Sequence, residues 1–244
     1  MNGQNPSVDA FNRDIVSNEG YLYTTNARLS SRLANQRLTE LALAAADFSG
    51  KKVIDIGCGD GTYTRELYDR GKPSRIVGVD PADEAIVLAR KKDRGTSVEF
   101  EVHSADALPY PDASFDLAHV RGVLHHMDRP FEALGEALRV SRQVIVIEPN
   151  GRNPVVKLLE RFSPYHRAHH EKSYPPASLE KWVTALGGEV VVRRYAGLVP
   201  FFCPDWFARL MKSMEPAVER TAGLRSIACA VFVFVATRVH TRKT

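Results

Sequence analysis

A short glycine-dense turn does most to limit what this chain can become. It reads Val53-Ile54-Asp55-Ile56-Gly57-Cys58-Gly59-Asp60-Gly61, follows a β-branched run and opens a helical one. Glycine lets the backbone turn tightly and approach a ligand, because no Cβ stands in the way. A nucleotide-like ligand can then lie against the turn, beside the helix N-terminus. Asp80 ends the next strand signal, where a carboxylate can accept hydrogen bonds from both hydroxyls of a ribose. The spacing is Gly-x-Gly-x-Gly, not the Gly-x-Gly-x-x-Gly that packs a helix behind a pyrophosphate. Asp55 and Asp60 stand before and inside the turn. Such acids disfavour a pyrophosphate and suit a ligand with a positive amino group and a sulfonium centre.

Strand and helix signals alternate around this turn. Strands are expected at 52–57, 75–79, 98–102, 115–120 and 143–148, and helices at 62–70, 83–92 and 129–140. Asp83 is expected to cap the second of these helices, and Asp128 with Pro130 to begin the third. The strands are near-continuous apolar runs, as required where helices cover both faces of a parallel sheet. Before them, 21–46 has a helical pattern. After Pro149 the rhythm breaks: 149–177 carries four further prolines and a cluster of histidines and arginines. Regularity returns with a helix at 177–186, a strand at 189–194, an apolar helical stretch at 204–219 and a last strand at 229–237.

Several segments together resemble the class I S-adenosylmethionine-dependent methyltransferases, in the small-molecule branch often called type 11. They are the turn itself, Ser104-Ala105-Asp106-Ala107-Leu108-Pro109, Ser114-Phe115-Asp116-Leu117-Ala118 and Val123-Leu124-His125-His126-Met127. The resemblance implies an α/β, Rossmann-like seven-stranded methyltransferase fold. Its sheet is mostly parallel with an antiparallel last strand in an interior position, and it carries a lid insertion. It also implies S-adenosyl-L-methionine as cofactor. Gly57, Cys58, Gly59 and Gly61 would line the methionine portion, with Asp55 on the amino group. Asp80, followed by Pro81, would hold the ribose, and Asp106 the adenine. Ala107 and the Arg121-Gly122 backbone would flank the ring and the methionine end. The whole of 1–244 is expected to form one methyltransferase domain. Within it, 1–46 supplies cofactor-covering helices in which Tyr21, Tyr23 or Arg37 touches the cofactor. Candidate lids are 149–177 and 197–224.

The expected reaction is methyl transfer to a small-molecule acceptor, with oxygen the favoured target atom. A hydroxyl acceptor gains from a general base, and the candidates are His125, His126, His166, His169 and His170. Glu148 ends the fifth strand and points to the same cleft. Over 151–181 six Lys/Arg oppose three Glu, which suits a sugar-like, anionic or phenolic acceptor. The stripe of Trp206, Phe207, Leu210, Met211, Met214 and Val218 reads as core by its helical spacing. If it walls a pocket instead, the alternative is a carbon methyltransferase for a quinone or lipid. A non-catalytic binding module is the alternative from another class. The Gly spacing and the two acids argue against a nicotinamide oxidoreductase. No metal is expected, since magnesium prefers carboxylates and water to clustered imidazoles.

The net charge of +4 comes without a long basic block, so no nucleic-acid partner is expected. Cys58, Cys203 and Cys229 are far apart, which fits a reducing, cytoplasmic setting. The N-terminus lacks an apolar signal core, and the longest apolar run, 227–236, is too short to cross a bilayer.

Overall fold

In a computed structural model of the chain, each expected strand pairs into one seven-stranded sheet of order β3-β2-β1-β4-β5-β7-β6. The strands are β1 (Lys52–Ile56), β2 (Arg75–Asp80), β3 (Val98–Val102), β4 (Phe115–Arg121), β5 (Ser141–Pro149), β6 (Gly188–Ala196) and β7 (Val231–Arg238). The structure describes residues 12–13, 15, 20–93, 95, 97–163, 167 and 171–239. β1 to β5 pair in parallel, and β7 is antiparallel to both β5 and β6. The expected interior, antiparallel last strand is therefore present, although it begins at Val231 rather than at 229.

Both faces of the sheet are buried, for the reason the apolar runs suggest. Ile54 and Ile56 of β1 join Val146, Phe232 and Phe234 in one core. Val53, which precedes them and points to the opposite face, joins Leu117, Ile145, Val233 and Val235 in the other. The first core is closed by α5 (Pro130–Val140) and α7 (Pro176–Ala185) through Leu134, Leu138, Leu179 and Val183. The second is closed by α2 (Leu29–Ala45), α3 (Thr62–Gly71) and α4 (Asp83–Lys92) through Leu41, Leu67 and Ile86.

Four local outcomes differ from expectation. The helical pattern at 21–46 divides into α1 (Leu22–Thr25) and α2, with Asn26 and Arg28 in extended backbone between them. Asp83 lies in the first turn of α4 rather than at its cap, which is Ala82. A helix, α6 (Pro154–Phe162), occupies part of the proline-rich stretch. Asn153 starts it: its side chain accepts from the Val155 and Val156 amides at 2.8 and 3.3 Å, and Pro154 takes the first helical position. Finally, α8 (Asp205–Arg220) is followed by a short α9 (Leu224–Ala228) before β7.

The sheet order places β1 between β2 and β4, so a crevice opens at the carboxyl ends of these strands. Gly61 shows how tightly the turn beneath it is packed. Its φ is +72°, and an added Cβ would stand 2.6 Å from the Phe100 ring and 2.9 Å from Ala89. Gly61→Ala is therefore expected to destabilise the fold by about 2–4 kcal/mol. Chemical denaturation measures this, and an unchanged midpoint would contradict it.

Candidate active site

A cavity of about 1450 Å³ lies in the crevice. Single small-molecule sites run to roughly 1,000 Å³, so this volume has room for two ligands side by side. Gly57, Cys58, Gly59, Asp80, Pro81, Ser104, Ala105 and Asp106 line one part of it, with Tyr21 and Tyr23 over them. Gly57 has φ +76° and an added Cβ would reach 2.3 Å from Val123. Asp80 is buried and braces the turn: its carboxylate accepts from the Gly59 amide and the Ala82 amide, each at 2.9 Å. Burial raises its pKa to about 6, against the pull of those two amides. Asp60 is tied to Lys92 at 2.7 Å and Thr24 at 2.8 Å. Burial works to raise its pKa, but these partners outweigh burial and the net shift is downward. The Cys58 thiol is pushed up by burial and by the charges of Asp80 and Asp55, which makes it a poor nucleophile.

Three residues named from the sequence fall elsewhere. Gly61 is not in the lining; it faces Phe100 and serves helix packing. Ala107 is exposed and outside the lining. Arg37 is bound to Glu219, with Glu215 at 3.5 Å, and does not reach the cavity.

Asp55 is more occupied than the sequence suggests. Its carboxylate accepts from Thr64 Oγ1 at 2.5 Å and meets His119 Nδ1 at 2.7 Å. With Nδ1 turned to Asp55, the other ring nitrogen of His119 is Nε2. That Nε2 is buried without a hydrogen-bond partner among the described residues, and His119 lines the cavity. Two positions on, Arg121 stacks on the Tyr63 ring at 3.8 Å and donates to Asn35 Oδ1 at 2.7 Å and Thr39 Oγ1 at 3.1 Å. Among the described residues no carboxylate lies within ion-pair distance of it. Burial lowers its pKa, so a bound anion would relieve a cost already present. The sequence reading missed His119 and the Arg121 side chain. The available signal was a His and an Arg two residues apart at the carboxyl end of a mostly apolar strand.

His125 and Glu148 form a buried pair. Glu148 accepts from His125 Nδ1 at 2.8 Å and from the amides of Val123, Leu124 and His125 at 2.8, 2.9 and 3.2 Å. Burial acts to lower the His125 pKa, but the charge and hydrogen bond of Glu148 outweigh it and the net shift is upward. With Nδ1 held by Glu148, Nε2 is the nitrogen left for a reacting group. His126 stacks beside His125, with ring centroids 3.9 Å apart. Glu171 joins them: one ligand atom from each of His125, His126 and Glu171 falls within 4.8 Å of the others, a set able to hold a metal ion. The Lys172 amide donates to the His125 carbonyl at 2.9 Å, tying the candidate lid 149–177 to this corner. His166, His169 and His170 lie outside the described residues.

Elsewhere the cavity is lined mostly by apolar side chains, interrupted by Asn153, Glu160, Ser163 and Glu215. Val155, Val156 and Leu159 of α6, Val199 and Phe201, and Phe207 and Met211 of α8 line it. The α8 stripe thus divides: Val218 is buried, Phe207 and Met211 are cavity wall, and Trp206, Leu210 and Met214 are exposed. Among the described residues, no helix is long and apolar enough to cross a membrane.

Residues 54–144 match a family model described as a methyltransferase domain. The chain is 31% identical over 209 residues to the 27-O-demethylrifamycin SV methyltransferase of Amycolatopsis mediterranei, covering 84% of this chain and 71% of that protein. It is 30% identical over 152 residues to a ubiquinone/menaquinone biosynthesis C-methyltransferase of Geobacter sulfurreducens, covering 59% of this chain and 57% of the relative. With several other curated relatives, the chain spans about half of their length or less. A crystal structure from Thermotoga maritima, described as an S-adenosylmethionine-dependent methyltransferase and possible histamine N-methyltransferase, shares the fold. Its TM-score is 0.69 at 20% identity, over 96% of this chain and all of that one.

Proposed function

The chain belongs to the class I S-adenosylmethionine-dependent methyltransferases, in the type 11 branch, and from that premise we propose that it methylates a hydroxyl of a bulky, largely apolar small molecule. The observation that carries this reading is the join between the His125–Glu148 pair and an apolar wall within one large cavity.

The residues present fit the cofactor. A Cβ at 57 would strike Val123 at 2.3 Å and one at 59 the Tyr21 ring at 2.5 Å, so glycine lets the cavity side chains close against the turn. Asp80 offers acceptors for the ribose, and Asp106, held by Ser104 at 2.5 Å, for the adenine amine. At the amino-acid end, His119 Nε2 would accept from the ammonium, with Asp55 supplying the charge behind it. Arg121 would take the carboxylate. S-adenosylmethionine, when bound, supplies a methyl group on a positively charged sulfur. The chain supplies alignment, a dry pocket and a base. His125 Nε2 takes the proton of the acceptor hydroxyl as its oxygen gains the methyl group, and Glu148 holds the imidazolium so formed. The segments 149–177 and 197–224 act as the two lids, and through α6 and α8 they form the acceptor wall.

The apolar lining favours such an acceptor over the sugar-like or anionic one that the basic segment 151–181 suggests. It also supports a second reading, carbon methylation of a quinone-like ring. The two named relatives span this choice, one an O- and the other a C-methyltransferase. Incubation with methyl-labelled cofactor and a panel of apolar alcohols, phenols and quinols tests both. Label in a methyl ether supports the first reading, label on carbon supports the second, and label only in polar sugars contradicts both. In the same assay Arg121→Gln is expected to weaken S-adenosylhomocysteine about tenfold, the worth of one charge-assisted hydrogen bond. Unchanged affinity would remove Arg121 from the site.

A further inference from the structure

Two helices that wall the cavity also carry apolar stripes that continue past the cavity onto the exposed surface. On α6, Val155, Leu158, Leu159 and Phe162 follow the i, i+3, i+4, i+7 spacing of one helix face, with exposures of 59, 58, 45 and 65%. No residue of α6 is buried. On α8, Trp206, Leu210 and Met214 recur every four residues, with exposures of 68, 46 and 45%. Leu158, Phe162, Trp206, Leu210 and Met214 are outside the cavity lining, so a ligand inside it would leave them uncovered. A surface helix normally turns its apolar stripe to the core. Two helices that turn theirs to solvent mark a surface made for contact.

The charges on these helices identify the contact. Arg152 and Arg161 beside the α6 stripe are exposed, as are Arg209 and Arg220 on α8. Their acids are largely spoken for. Glu160 pairs with Lys157, Glu215 with Lys212 and Glu219 with Arg37, which leaves Asp205 at the start of α8. Apolar stripes edged by Lys and Arg are what an interfacial helix presents to anionic lipid. The long basic side chains can lay their stems along the apolar face and keep their charges at the phosphates.

We propose that α6 and α8 seat this protein on an anionic bilayer surface, with their apolar stripes at the boundary between headgroups and acyl chains. The same helices wall the cavity, so an apolar acceptor could pass from the bilayer into it. That last point rests on the proposed function, whereas the docking does not.

Flotation of the full chain with vesicles tests the docking. Vesicles of phosphatidylcholine with phosphatidylglycerol are compared with phosphatidylcholine alone. The protein is expected to partition onto the anionic vesicles at least about tenfold more strongly. Trp206 emission should shift to the blue on binding. The double substitution Leu158→Glu, Phe162→Glu should reduce partitioning at least about tenfold. A second variant, Trp206→Glu with Leu210→Glu, should do the same from the other helix. Both variants should keep wild-type affinity for S-adenosylhomocysteine, which separates lost docking from lost folding or a failed cofactor site. Four results would overturn the proposal: no partitioning, equal partitioning on both vesicle types, partitioning untouched by the substitutions, or a concentration-dependent dimer that these substitutions abolish. The last would assign the surface to a second copy of the chain.

Discussion

Asp80→Ala is expected to lower the affinity for S-adenosylhomocysteine by at least about a hundredfold, because one buried carboxylate serves two tasks. It holds the Gly59 and Ala82 amides, and so the shape of the turn. In the proposed complex it also accepts from the ribose hydroxyls. Charge-assisted hydrogen bonds are each worth about 1.5–3 kcal/mol, and losing two exceeds that factor. Asp80→Asn keeps one of the two acceptors and leaves one amide unpaired, so it should fold with about 1–3 kcal/mol less stability and still bind weakly. Isothermal titration together with thermal denaturation of both variants checks this. Wild-type affinity in either would remove Asp80 from the ribose site.

The raised Asp80 pKa adds a pH signature of definite sign. Folding sees a carboxyl whose pKa is about 6 in the native state against an ordinary 3.8. Its protonation therefore favours the fold; that contribution is full below pH 3.8 and is lost as pH rises through about 6. Cofactor binding runs the other way, because the ribose needs the carboxylate. Affinity should be flat above pH 7 and fall as pH drops below about 6.

His125→Asn is expected to reduce turnover by about 10²–10⁴-fold, the usual worth of a general base, while cofactor affinity stays within about twofold. Asparagine can keep the donor that meets Glu148 but has no counterpart of Nε2, so the loss reads the base and not the fold. Glu148 tunes the same nitrogen. A base must be neutral to act, so the rate should rise with pH through the His125 pKa, which Glu148 holds above the ordinary 6.5. Glu148→Gln should move that acidic limb to lower pH as well as lower the rate. A profile that stays in place would show that His125 is not the titrating base.

The strand ladder and the cofactor turn were legible because their causes are local. Doubly buried strands need apolar runs, and the turn needs glycine where φ is positive at Gly57 and Gly59. Gly61 was legible as a glycine but not in its role, since Phe100 reaches it from β3, far off in sequence. The partners of Asp55 depend on β1 and β4 lying side by side, where Asp55 faces His119 across the ladder. No spacing rule encodes that neighbour. His125 was visible from its motif and Glu148 from its place at a strand end, but their hydrogen bond is a tertiary event. The α6 helix was hidden by a different effect. Prolines and histidines around it read as irregular chain, although Asn153-Pro154 followed by an i, i+3, i+4, i+7 stripe is a start signal with a helical face. The stripe also faces outward, so a search for core-facing patterns passes over it.

Titration of the purified protein with S-adenosylhomocysteine, with NADH as control and calorimetric heat as readout, tests the central claim most directly. Saturable 1:1 binding of the first at pH 7.5, none of the second, and a fall in affinity below pH 6 are the expected results. Absence of S-adenosylhomocysteine binding by a folded protein, or equal binding of NADH, would contradict the assignment of this cavity.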